Sequence, residues 1–215
     1  MRSGISLLAS AVLLAVASSA TAQYRGGTWE LEGFAGYLLG GNFGHSSDFG
    51  FNNAHIDVQD DVYYGGRLGY NFTPLWEVEV EYAQSKPHLE AVPFHDNSNV
   101  PGVRIGDIKF EYYMAYMTLN FGHGRWVGYF TLGSGAANLV PTIIVNSLSS
   151  SSVRYTSAIG GGAKWFIDPH FALRFDGRLY STFVDKAHVV CGPNFCTNTN
   201  WVSNWVFDGG VVFAF

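Results

Sequence analysis

Trp76-Glu77-Val78-Glu79-Val80-Glu81-Tyr82 alternates without a break, with Trp, Val, Val and Tyr on one side and three Glu on the other. Only an extended chain sorts such a run into two faces, because successive side chains of a strand point to opposite sides of the sheet. A helix would spread the glutamates around its circumference. The same period recurs in Phe171-Ala172-Leu173-Arg174-Phe175-Asp176-Gly177-Arg178-Leu179, where Arg174, Asp176 and Arg178 oppose an apolar face. Near the C-terminus Trp205, Phe207, Gly209, Val211, Phe213 and Phe215 share one face, opposite Asn204, Asp208, Gly210 and Ala214. Over residues 62–72, Val62, Tyr64, Leu68, Tyr70 and Phe72 oppose Asp61, Arg67 and Asn71. Residues 28–39, 108–121, 126–137 and 154–167 complete a set of eight expected strands.

The connections alternate in length. Short turns punctuated by Pro and Gly fall at Thr73-Pro74-Leu75, Gly122-His123-Gly124-Arg125 and Asp168-Pro169-His170. Long polar segments separate them, at residues 40–60, 84–107, 138–153 and 181–200. Three short and four long connections between eight strands predict an all-β, antiparallel up-and-down barrel with both ends on the short-turn side.

Two solutions share that pattern, a soluble barrel with its apolar face inward and a membrane barrel with its apolar face outward. Only 13% of residues are charged and 16% are aromatic, with 26 Gly; a soluble domain carries about 25% charge. The polar face is sparse and mixed in sign, as suits a packed interior. Aromatics gather beside the short turns (Tyr70, Phe72, Trp76, Phe121, Trp126, Trp165, Phe166, Phe171, Phe213 and Phe215), as an interfacial belt requires. The chain also ends on an aromatic. These features predict an eight-stranded transmembrane β-barrel, its strands long enough for the ~9–11 residues of a tilted span.

Residues 1–22 read as a separate segment. Arg2, a short apolar core from Ile5 to Val16 and the small-x-small run Ala20-Thr21-Ala22 predict a secretory signal peptide cut between Ala22 and Gln23. The barrel domain is then 23–215. Removing Arg2 leaves 11 basic residues against 17 acidic ones, a balance that argues against a nucleic-acid partner.

The ending Gly209-Gly210-Val211-Val212-Phe213-Ala214-Phe215 resembles the C-terminal assembly signal of outer-membrane barrels. Asn120-Phe121-Gly122-His123-Gly124-Arg125-Trp126-Val127-Gly128-Tyr129 and Leu173-Arg174-Phe175-Asp176-Gly177-Arg178 look like turns and strands of the OmpA-like small eight-stranded barrels. The resemblance covers 23–215. It implies a porin-like barrel in a Gram-negative outer membrane, with the lipid bilayer and lipopolysaccharide as surroundings. It also implies insertion by the outer-membrane assembly machinery, with Val211, Phe213 and Phe215 in the recognised signal. Periplasmic termini, extracellular long loops and a monomer are expected. The chain stops at Phe215 without a peptidoglycan-binding domain, so a cell-wall tether is not expected.

The expected interior charges are Glu30, Glu32, Arg67, Glu77, Glu79, Glu81, Lys164, Arg174, Asp176, Arg178 and Asp208. Eight strands enclose a space that side chains can fill. An unpaired buried ion costs several kcal/mol, so the glutamates of 77–81 should be neutralised by Arg67 next door and by Lys164, Arg174 and Arg178 from across the barrel. A salt-bridged plug is predicted, with a proton or ion path as the other reading of the same charges.

Little else carries chemistry. His45, His55, His88, His95 and His188 fall in the long connections beside Asp48, Asp57, Asp60, Asp61 and Asp96, without metal-ligand spacing. Cys191 and Cys196 predict a local disulfide in the last loop. Lipid A deacylases need a neighbouring His and Ser on a late strand; His45-Ser46 lies in the first loop, and no His follows His188. Ser147–152 reads as a plain linker within a polar loop face. No catalytic residue, metal or cofactor is expected. A structural or surface-interaction role leads, a narrow channel for small or hydrophobic solutes is the alternative, and a lipid A-modifying enzyme is the weaker one.

Overall fold

The computed structural model describes residues 26–40, 42–46, 54–93, 103–122, 124–143, 152–183, 191–192, 195–196 and 201–215. The expected leader with its Ala22/Gln23 cut, His95, His188, Asp48, Asp96 and most of the serine run 147–152 lie outside these residues.

Eight long strands form the wall: β1 (Thr28–Leu39), β2 (Asp61–Asn71), β3 (Trp76–Ser85), β4 (Val103–Phe121), β5 (Trp126–Ile143), β6 (Ser152–Phe166), β7 (Phe171–Phe183) and β8 (Trp201–Ala214). Each pairs antiparallel with its neighbours in sequence, and β8 pairs with β1, so the sheet closes without an edge. One circuit of the ladder runs Thr28, Asn71, Glu77, Thr118, Thr131, Gly160, Arg178, Val206 and back to Leu38. The return lands ten residues further along β1, a stagger that tilts the strands by about 40° from the barrel axis.

The short turns fall where Pro and Gly predicted them. Thr73 Oγ1 accepts from the amides of Leu75 and Trp76, and Asp168 Oδ1 accepts from His170 and Phe171. Gly122 and Gly124 take positive φ, which closes the β4–β5 turn. At the opposite end the structure departs from the expected long loops. β4 runs 19 residues and β5 18, well past a span. Short strands Asn42–Ser46, Ala54–Val58 and His88–Pro93 extend the sheet there.

The wall is inverted relative to a soluble barrel. Leu31, Leu68, Val80, Met117, Leu132, Ile159, Phe175 and Val211 are exposed, while charged side chains are buried. Two aromatic belts ring the exterior. Trp29, Phe72, Trp76, Phe121, Trp126, Phe171, Phe213 and Phe215 lie at the short-turn end; Tyr37, Tyr64, Tyr82, Tyr113, Tyr155, Trp201 and Trp205 lie toward the other. Between the belts no outward position carries a charge, as lipid contact demands, since Lys or Arg at the midplane costs about 2–4 kcal/mol. Phe166, expected in the belt, is 3% exposed and points inward. It shares its parity with Lys164 and packs with Val127, Ala172 and Val212 inside the short-turn end.

Candidate functional site: the luminal charge network

Every interior charge expected from the sequence is buried inside the barrel. At the short-turn end, Lys164 Nζ bridges Glu30 Oε2 at 2.6 Å and Glu77 Oε2 at 2.8 Å. Asn71 Nδ2 donates to Glu30 Oε1 and Asn120 Nδ2 donates to Glu77 Oε2.

Three guanidiniums fill the next level. Arg174 reaches Glu79 Oε1 at 3.0 Å, Glu32 Oε2 at 3.3 Å and Asp176 Oδ2 at 3.2 Å. Arg67 joins Glu81 at 2.5 Å, Asp208 at 2.8 Å and Glu32 at 3.2 Å. Arg178 joins Asp176 at 2.8 Å, Glu81 at 3.0 Å and Glu79 at 3.3 Å. Arginine suits this place because its planar fork donates to several carboxylates at once. Each guanidinium also lies over a ring: Arg67 over Phe34, Arg174 over Tyr129 and Arg178 over Tyr116.

Alternation along the strands delivers these residues. Glu77, Glu79 and Glu81 stack on β3, and Arg174, Asp176 and Arg178 stack on β7 across the barrel. Missing side chains opposite make room for them. A Cβ on Gly210 would sit 2.3 Å from Glu32 Oε1, and one on Gly133 would sit 2.2 Å from the Tyr116 ring.

A cage of tyrosines that the sequence reading missed lies above the charges. Tyr63, Tyr116 and Tyr180 donate to Glu81 Oε1 at 3.0, 3.1 and 2.7 Å. Tyr129 bridges Arg174 and Asp176. Their parity was available: Tyr180 shares a face with Arg178, and Tyr116 with Thr118 and Asn120. Toward the long-loop end the interior turns apolar, with Leu38, Val58, Leu89, Ile108, Phe110, Leu139, Val202 and Val206 in one buried cluster.

The rim groups stay apart from this network. His88 Nδ1 lies 2.7 Å from Asp107, which also takes Arg104 at 2.6 Å. The Arg104 hydrogen bond, helped by His88, holds the Asp107 carboxyl below its usual range. Asp60 accepts from the Gly40 amide, and Asp61 accepts from Ser85 and the Lys86 amide. The backbones of His45 and His55 pair directly, and so do those of Asn42 and Asp57. Among the described residues no three potential ligands assemble into a metal site. Cys191 and Cys196 face one another across a two-residue ladder. On the outer wall, a shallow hollow of about 570 Å³ is lined by Gly33, Ala35, Leu173, Phe175, Gly209 and Val211.

Solved structures with a similar fold include the outer membrane protein OprG. OprG from Pseudomonas aeruginosa aligns with 16% identity and a TM-score of 0.61, covering 90% of this chain and 98% of its own. Neisserial surface protein A aligns with 12% identity and a TM-score of 0.58, covering 87% and 98%. The N-terminal β-barrel domain of Pseudomonas aeruginosa OprF aligns with 16% identity and a TM-score of 0.50, covering 89% and 99%. At such identities the likeness is one of fold. No curated protein matches the chain. The family model described as an outer membrane protein beta-barrel domain matches residues 8–215, and the chain belongs to that family of outer-membrane barrels.

Proposed function

We propose that this outer-membrane barrel is a structural and surface-interaction protein whose lumen is plugged by its own charged side chains. One observation carries the reading: the buried network takes ions or hydrogen-bonding groups from all eight strands. Glu30, Glu32, Arg67, Glu77, Glu79, Glu81, Lys164, Arg174, Asp176, Arg178 and Asp208 are its charged members. Thr118 of β4 and Tyr129 of β5 join it by bonding Glu79 and Asp176. A plug tied to every strand resists opening, because freeing one ion leaves another uncompensated in a low dielectric.

In this reading the 1–22 leader is removed after Ala22, and assembly machinery recognises Val211, Phe213 and Phe215. The monomer sits among bilayer lipid and lipopolysaccharide with periplasmic termini. The long-loop end faces outward, stapled by a Cys191–Cys196 disulfide, and offers the contact surface. Thiol labelling of intact cells is expected to modify neither cysteine. No catalysis is assigned: lipid A from a deletion strain is expected to keep its mass spectrum.

Planar-bilayer recording of the refolded protein tests the plug. No steady conductance of porin size is expected; a large, stable open state would falsify it. The apolar upper interior favours a second reading, a narrow path for small hydrophobic solutes. Uptake of such a solute by proteoliposomes, above that of protein-free vesicles, would select it.

A further inference from the structure

Among the described residues, the lumen buries seven carboxylates, those of Glu30, Glu32, Glu77, Glu79, Glu81, Asp176 and Asp208, and four cations, Arg67, Lys164, Arg174 and Arg178. All ionised, it would carry three surplus negative charges. Buried ions without compensation give up their charge by changing protonation. The hydrogen bonds indicate where.

Both oxygens of Glu30, Glu32, Glu79, Glu81, Asp176 and Asp208 accept from at least one donor. Glu77 differs. Its Oε2 takes Lys164 and Asn120, but its Oε1 is buried with no donor among the described residues. Asn71 Oδ1 is a second buried acceptor with no donor. Asn71 and Glu77 are direct partners across the β2–β3 ladder and both face inward, a placement that brings side chains together.

We infer that Glu77 carries a proton in the folded barrel and donates it from Oε1 to Asn71 Oδ1. One proton then satisfies both stranded acceptors and removes one of the surplus charges. Lys164 is left paired with Glu30 alone as an ion.

The surroundings favour a proton over a metal ion. The Lys164 ammonium, 2.8 Å from the same carboxyl, repels a second cation. Glu77 Oε1 packs over Gly69, where a Cβ would come within 2.6 Å, which leaves little room for a coordination shell. The charged groups facing Glu77 are Lys164 from β6, Glu30 from β1, Arg174 from β7 and Glu79 on its own strand. β2 and β4 supply the neutral Asn71 and Asn120. β5 supplies Tyr129, whose ring lies 5.8 Å from Lys164, and β8 supplies Val212 at this end.

The inference refines the plug, yet its test stands apart from conductance. Infrared spectra of the folded protein at neutral pH, with and without 13C-labelled glutamate, read protonated carboxylic acids directly. A glutamic-acid carbonyl stretch is expected, shifted by the label and lost in Glu77→Gln. That variant should still fold, because the Gln amide donates where the acid did. Absence of the band, or its survival in Glu77→Gln, overturns the inference.

If Glu77→Gln does not fold, the wild type decides through pH. A proton held in the folded state and released by an exposed, unfolded Glu makes stability fall as pH rises. The urea midpoint should therefore fall with rising pH above the ordinary carboxylate range for as long as the band persists, and level off where the band is lost. A band that persists over that range while the midpoint stays level contradicts it. A closed barrel without the band would leave the plug standing and remove the proton; a band in a conducting barrel would do the reverse.

Discussion

Arg178 has no exposed surface and three carboxylates around it, from Glu79, Glu81 and Asp176. Its removal strands those acids in a space that water does not readily reach. Arg178→Met should therefore destabilise the barrel by about 3–5 kcal/mol, the usual result of breaking a buried ion pair from one side. Urea unfolding in detergent micelles measures this. Arg178→Lys keeps the charge but loses the fork, so its midpoint should fall between wild type and Arg178→Met; a Lys variant as stable as wild type would show that charge alone matters. At this scale the lumen was legible. Each of its ions sits one residue away from an apolar neighbour, so parity alone sorted them. The tyrosines escape a reading by residue type, because a phenol suits either environment and only its parity with a charged neighbour places it inside. Tyr180 is buried against Glu81, whereas Tyr37 is exposed in a belt; only the register of their strands separates the two. Phe166 misled for the same reason: a ring beside a short turn reads as belt until its parity with Lys164 is followed.

The strands start sharply at the short-turn end and run on at the other. Short turns carry local chemistry that a sequence displays, namely Thr73 and Asp168 oxygens capping amides two and three residues on. Gly124, at φ 81°, has open space around it. A side chain there meets only backbone strain, so Gly124→Ala should cost about 1–2 kcal/mol. The same urea transition reads it, and an unchanged midpoint would place the strain elsewhere. Thr73→Ala removes the acceptor for two amides and should cost about 1 kcal/mol. The long-loop ends of β4 and β5 had no such markers. Past Glu111 and Asn138 the apolar parity changes side: Ile108, Phe110 and Leu139 turn inward into the buried apolar cluster while Lys109 and Glu111 face out, so the pattern no longer reads as a lipid-facing wall. Backbone pairing continues there, as in Lys109 with Val140 and Val58 with Leu89, without a turn signal to mark where it stops.

For the whole molecule, closure decides. Ten residue pairs from Glu30 with Ala214 to Leu39 with Trp205 join the first strand to the last. Beyond them, Phe215 exchanges two backbone hydrogen bonds with Trp29 at 2.9 Å each, and its ring joins the lower belt beside Phe213. A closed ladder has no fraying edge and resists detergent until heat opens it, so boiled and unboiled samples should migrate differently on a gel. Deleting Phe215 separates two roles that the last residue could have. The ten ladder pairs remain, so protein refolded in detergent should close and keep its heat-dependent shift, with a midpoint lowered by about 1–2 kcal/mol for the two lost hydrogen bonds. In cells the same deletion should cut the amount recovered in the outer-membrane fraction far more than that loss of stability explains, if Phe215 is read by the assembly machinery. Equal losses in both settings would mean that Phe215 serves closure alone, and would shift the recognised signal to Val211, Phe213 and the alternation that precedes them.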